Sequence, residues 1–175
     1  MDNKFKINID TESIPSRFHL AKEIFLRESS YLESTFNYFL FENNLINDFS
    51  FSGYLELELS LVSDLDIQQL NNDYRNKDKP TDVLSISLFS DFRQEWRDNN
   101  LPLINLGDII ISVDTAIKQS ENAGISLETE LIELFIHGVL HLLGFDHEIS
   151  ESEMDIMYKK EKSIFDYYLE NKSKR

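Results

Sequence analysis

The chain has 175 residues, enough for one domain of ordinary size and little beyond it. Seventeen Lys+Arg against thirty-two Asp+Glu leave a net charge of −15 and a pI near 4.6, which opposes binding of a phosphate-rich polymer over the whole surface. The absence of cysteine excludes a disulfide scaffold, a thiolate zinc site and a cysteine nucleophile, while 41% apolar residues suffice for a core despite the acidity.

In chain order, the opening MDNKFKINID lacks the apolar run of a signal peptide, and FKINI (5–9) alternates as a short strand. Residues 16–45 read as helical, with a break near Ser29–Ser30. Gly53 introduces YLELELSLV (54–62), whose leucines at 55, 57, 59 and 61 share one face while Glu56 and Glu58 point to a wet or edge face. Ser63 or Asp64 caps a helix running to about Tyr74, and the loop RNKDKPTD follows. Strands are expected at VLSISLF (83–89) and DIIISV (108–113), joined by a polar connection containing Trp96 and Pro102.

A helix from Asp114 stops at Gly124, and the next begins at Ser126 or Leu127 and runs to about Leu143, with Gly144 placed to end it in a left-handed turn. A last helix covers roughly 150–169. Strands and helices mix without regular βαβ alternation. The expectation is therefore an α+β fold, one domain over 1–175, with a small mixed sheet packed against helices and a central buried helix over 127–143. The most apolar window, 134–145, is too short and too polar to span a bilayer, so a soluble cytoplasmic protein is expected.

Three of the four histidines fall in HGVLHLLGFDH: His137, His141 and His147. His137 and His141 are four apart, so both imidazoles leave one helix face a turn apart, the bite needed to share a metal. Gly144 can reverse the chain and return His147 as a third ligand, leaving one tetrahedral position open, as catalytic zinc sites do. The bland alternative is a set of core histidines bonded to carboxylates. Glu130, Glu133, His137 and His141 form one polar stripe on an otherwise apolar helix.

The spacing is similar to that of zinc proteases, H-E-x-x-H-x-x-G-x-x-H, but Gly138 stands where their general-base Glu would be, which argues against peptide hydrolysis by that route. A glycine there implies close approach of a backbone or substrate, or a tight helix–helix contact.

Positive charge is rationed. Residues 28–74 hold no Lys or Arg, whereas Arg75, Lys77 and Lys79 sit almost together. An arginine there can grip a phosphate through two parallel hydrogen bonds, or the loop is merely solvated and balanced by Asp73, Asp78 and Asp82.

NNDYRNKDKPTDVLS (71–85), LGDIIIS (106–112) and HGVLHLLGFDH (137–147), in that order, resemble the bacterial YbeY family over roughly Tyr54 to Lys160. Ile86–Ser87 stands where the family usually has Phe-Pro, and Phe145 where it has Tyr. The resemblance implies a single-strand-specific, zinc-dependent endoribonuclease of ribosomal RNA maturation, acting near the 3′ end of the small-subunit RNA and in ribosome quality control. It implies His137, His141 and His147 as zinc ligands, with His137 part of the catalytic centre, and Arg75 as the catalytic or phosphate-contacting arginine. It implies precursor ribosomal RNA as substrate, with a small-subunit ribosomal protein and an assembly GTPase as partners.

The general base is open: Asp146, Glu133 and Asp108 are the candidates, each equally a group that orients a ligand. Trp96, between Arg93 and Arg97, is a candidate for stacking an unpaired base or a core-edge aromatic, and His19 is read as structural. A zinc-stabilised, non-catalytic assembly factor and a metallopeptidase are the rival functions.

Overall fold

The computed structural model describes residues 4–46, 51–95, 101–146 and 150–174. Strands β1 (Phe5–Ile9), β2 (Tyr54–Val62), β3 (Val83–Ser87) and β4 (Leu103–Ser112) form one sheet in the order β1-β2-β4-β3. β1 and β4 both run parallel to β2, and β3 is antiparallel to β4, so the sheet is mixed as expected. The helices are α1 (His19–Phe41), α2 (Asp64–Arg75), α3 (Phe92–Glu95), α4 (Val113–Ala123), α5 (Leu127–Leu142) and α6 (Glu151–Ser173).

The alternation in β2 does what its period requires: Leu55, Leu57, Leu59 and Leu61 are all buried in the main core. Glu56 and Glu58 lie on the opposite face and accept hydrogen bonds from Asn8 Nδ2 at 3.3 and 2.8 Å. That face is wet although β2 is an interior strand.

Several boundaries depart from the sequence reading: the first helix ends at Phe41 rather than 45, and α6 runs to Ser173 rather than about 169. α1 is continuous through Ser29–Ser30 because Glu28, Leu32 and Thr35 beneath it are all fully buried and hold it to the core. β3 ends at Ser87, whose Oγ accepts from Phe89 N and turns the chain out of the sheet. β4 begins at Leu103, not Asp108, and carries an irregularity in register opposite Glu56 and Glu58. Gly107 sits there at φ +119°, and a Cβ on it would lie 2.1 Å from Ile86 O, so only glycine fits. The connection expected to be irregular contains the short α3, and its Trp96 lies outside the described residues.

α5 is the central helix. Leu131, Ile132, Phe135, Ile136, Val139, Leu140 and Leu142 are buried against the sheet and the flanking helices. Ser126 caps its start by accepting from Thr129 N at 3.0 Å, and Gly144, at φ +91°, follows its end. α2 packs on the other side of the sheet, where Ile67 meets Leu84 and Ile110. Its start is capped by Ser63, with Asp66 answering Ser63 N in a capping box.

Asp64 then pins α2 in place by accepting from Ser112 Oγ, Thr115 Oγ1 and Lys118 Nζ at 2.5–2.6 Å. Burial opposes the charge on Asp64, but these three donors outweigh it and bring the carboxyl down to about 2. α2 is thus fixed at the end opposite Arg75, which closes the helix before Asn76 takes a left-handed conformation at φ 54°. Among the described residues no helix is long and apolar enough to cross a membrane.

Candidate active site

The histidine pair lies on the half-exposed stripe of α5, at the meeting of two grooves. One groove, about 610 Å³, is lined by Tyr74 and Arg75 from the end of α2, residues 81–86 of β3 and its approach, His137, His141 and Asp146. The other, about 620 Å³, runs from Asp82 and His137 along Glu130, Glu133, Tyr158 and Glu161 to Asp166. Asp82, Val83 and His137 belong to both, so the two are arms of one cleft with His137 at the junction. The polar stripe expected to be buried is open to solvent along this cleft, and Glu133 on it is exposed.

His137 Nε2 and His141 Nε2 face each other at 3.0 Å, with the rings edge to face. Two nitrogens about 2.0–2.1 Å from one tetrahedral ion would be separated by about 3.3 Å, so the pair is spaced to share a cation with a small adjustment. On its other side His137 Nδ1 donates to Glu161 Oε1 at 2.6 Å. That bond places the proton on Nδ1 and leaves Nε2 as an acceptor, the state that a metal ligand requires. His137 therefore has the carboxylate partner of the bland reading, but in a cleft and with its second nitrogen directed at another imidazole.

His147 lies outside the described residues, and among those described no third His, Asp or Glu joins the pair in a metal-holding group. The reversal at Gly144 does return the chain to the cleft, since Asp146 lines the same arm as Arg75 and both histidines.

Arg75 lines this arm, whereas Lys77 and Lys79 are exposed on the loop and do not line it. Of the three carboxylates considered from sequence, Asp146 lines the Arg75 arm and Glu133 the other, where partial desolvation against the cleft wall and the neighbouring Glu161 push its carboxyl up although the residue is exposed. Asp108, raised by burial, lines neither arm. Glu161, the carboxylate that does bond His137, escaped the sequence reading. One signal for it exists: 157, 161, 164 and 168 form the inward stripe of α6, and Met157, Ile164 and Tyr168 are buried there.

Gly138 resolves into a helix-on-sheet contact. A Cβ at this position would meet Ile109 Cγ2 and Ser85 Oγ, each at 3.1 Å, and Ser85 Oγ donates to Gly138 O at 3.2 Å. Sheet side chains fill the space in which the protease Glu would sit. Ile86 lines the Arg75 arm, while Phe145 is buried beneath Arg93 and Lys160, away from it. His19 is exposed and pairs with Glu23 at 3.2 Å.

An α+β fold with paired histidines and an arginine converging in one cleft defines a class of site rather than a protein. The comparisons supply the family. The family described as endoribonuclease YbeY matches residues 24–169, and this chain belongs to it. A relative from Sulfurihydrogenibium named endoribonuclease YbeY is 35% identical over 153 residues, covering 86% of this chain and 91% of the relative. One of the same name from Halalkalibacterium halodurans is 45% identical over 123 residues, 66% of this chain and 74% of the relative. The fold is similar to the solution structure of a Thermotoga maritima protein, with TM-score 0.56 and 23% identity over 94% of this chain and 88% of that one.

Proposed function

We propose that the chain, as one domain, is a zinc-dependent endoribonuclease that cuts single-stranded RNA in ribosomal RNA maturation, near the 3′ end of the small-subunit RNA, and in ribosome quality control. The observation that carries this reading is the convergence of His137 Nε2 and His141 Nε2 in the cleft arm that Arg75 also lines. Family membership supports the activity and the RNA substrate. His137, His141 and His147 would hold the zinc. When bound, zinc supplies a Lewis acid that polarises a phosphoryl oxygen and makes water or a hydroxyl a better nucleophile.

Arg75 grips the scissile phosphate and balances charge that builds up on it. Glu161 holds His137 in the ligand tautomer. The protein works in the cytoplasm and reaches its substrate through a small-subunit ribosomal protein and an assembly GTPase, because a body of net charge −15 attracts free RNA poorly.

Zinc-loaded protein is expected to cut unstructured RNA and to spare the same sequence in a duplex and a peptide library, with His137→Ala losing zinc and cleavage together. Equal cleavage by wild type and His137→Ala would overturn the reading. Stoichiometric zinc with no cleavage would favour a non-catalytic assembly factor. Glu161→Ala is expected to weaken zinc binding by about 10–100-fold in a competition titration, with Glu161→Gln in between. Unchanged affinity would show that the contact does not tune the ligand.

A further inference from the structure

The two arms of the cleft differ in charge and in what they offer a nucleic acid. The arm beyond His137 is walled by Asp82, Glu130, Glu133, Glu161 and Asp166, with Lys162 already paired to Asp166 at 2.9 Å. A phosphate chain laid there meets repulsion. The opposite arm is less acidic: its lining adds Asp146 to the shared Asp82, and it holds Arg75 and, one residue before it, Tyr74, which lines the groove yet stays 61% exposed.

A large aromatic left exposed at the rim of a cleft, beside a guanidinium, has the features of a stacking platform for an unpaired base. Tyr158 is equally exposed, but in the acidic arm, so charge selects between the two rings. Tyr74 is also held firmly: it stands in the last turn of α2, whose start is pinned by Asp64 and whose end is fixed by Asn76 N donating to Asn72 O.

The geometry points to Tyr74 as a specificity-determining residue that stacks on the unpaired base next to the scissile phosphate, confining the RNA strand to the Arg75 arm. This rests on the endoribonuclease reading and adds the source of its preference for single strands. A base locked in a duplex has both faces covered by its neighbours and offers none to the ring. An unpaired base does, and stacking on it would set the register of the phosphate against Arg75.

The test uses zinc-loaded full-length protein and an unstructured RNA with one cleavage site, intact or carrying an abasic nucleotide on either side of that site. Tyr74→Ala is expected to raise KM for the intact RNA roughly 5- to 150-fold, with a much smaller change in kcat. Tyr74→Phe, which keeps the ring, should remain near wild type. One of the two abasic substrates should cost the wild type a comparable factor and cost Tyr74→Ala nothing further.

Unchanged KM in Tyr74→Ala, or equal abasic sensitivity in both proteins, overturns the proposal. So does a Tyr74→Phe that behaves like Tyr74→Ala, which would assign the effect to the hydroxyl. Failure of the endoribonuclease reading looks different: the wild type would then leave the intact RNA uncut.

Discussion

Replacing Arg75 by Ala in the zinc-loaded protein is expected to slow RNA cleavage at saturating substrate by about 10²–10³-fold, the loss that follows removal of one preorganised donor to a transition-state charge. Zinc content and melting temperature should stay at wild-type values, because Arg75 ends α2 on the cleft wall and is no part of the core. The size of the effect comes from preorganisation. α2 is anchored at its far end by the three donors to Asp64, so the guanidinium is delivered to the groove by a helix rather than by a mobile loop.

Arg75→Lys should recover only part of the rate, since an ammonium is a point charge without the planar fork. A variant that loses zinc along with activity would instead make Arg75 a structural support of the histidine pair. Metal analysis beside single-turnover cleavage separates the two results.

The charge of −15 takes on a local meaning in this structure. Much of the positive charge is committed to ion pairs: Lys118 with Asp64, Lys162 with Asp166, Arg93 with Asp91 and Glu153, and Lys172 with Glu28 and Glu128. Lys160 is half-buried, and burial together with Arg93 pushes its ammonium down. Of the basic residues on α6, Lys160, Lys162 and Lys172 are thus engaged within the protein. Arg75 carries the case for a phosphate by its position, as the basic residue in the described lining of the arm that holds both histidines.

Where the sequence was legible, one strong period governed one buried face. Leu55 to Leu61 predicted β2 and its orientation, and the i, i+4 histidines predicted a shared face on α5. β4 was misplaced for the opposite reason, because Gly107 and the bulge around it break the alternation before Asp108. The pairing of His137 with Glu161 spans 24 positions and two helices, and nothing local encodes it. It is visible only as an acidic residue where α6 should present an apolar one. Glu28 breaks the pattern in the same way, lying among Ile24, Phe25 and Leu32 on the inward face of α1. A carboxylate on a core stripe marks a partner elsewhere in the chain: for Glu161 that partner belongs to the candidate site, for Glu28 it holds helices together.

Glu28→Ala is accordingly expected to be among the most destabilising single changes. The carboxylate is fully buried and accepts from Arg27 Nε at 2.6 Å, Tyr168 Oη at 2.8 Å and Lys172 Nζ at 2.9 Å, so it ties α1 to α6. Glu128, at the start of α5, receives Arg27 and Lys172 as well and joins the third helix. Without Glu28 the buried Tyr168 hydroxyl loses its acceptor and a cavity opens. Breaking a buried pair costs about 3–5 kcal/mol. Arg27 and Lys172 are partly exposed and keep Glu128, which places the loss towards the lower end and predicts a fall in Tm on the order of 10 °C.

Glu128→Ala, which removes only the more exposed carboxylate, should cost about 1 kcal/mol or less. The acid limb has a definite sign. Burial would raise the Glu28 carboxyl, but its three donors outweigh burial and hold it below its ordinary value of 4.5. A carboxyl depressed in the native state contributes fully above its unfolded pKa, and the contribution fades as pH falls below about 4.5 towards the native pKa. Denaturant melts across that range should therefore show a stability loss in the wild type that Glu28→Gln largely lacks. Parallel acid limbs for the two proteins would show that the cluster contributes no pH-linked stability.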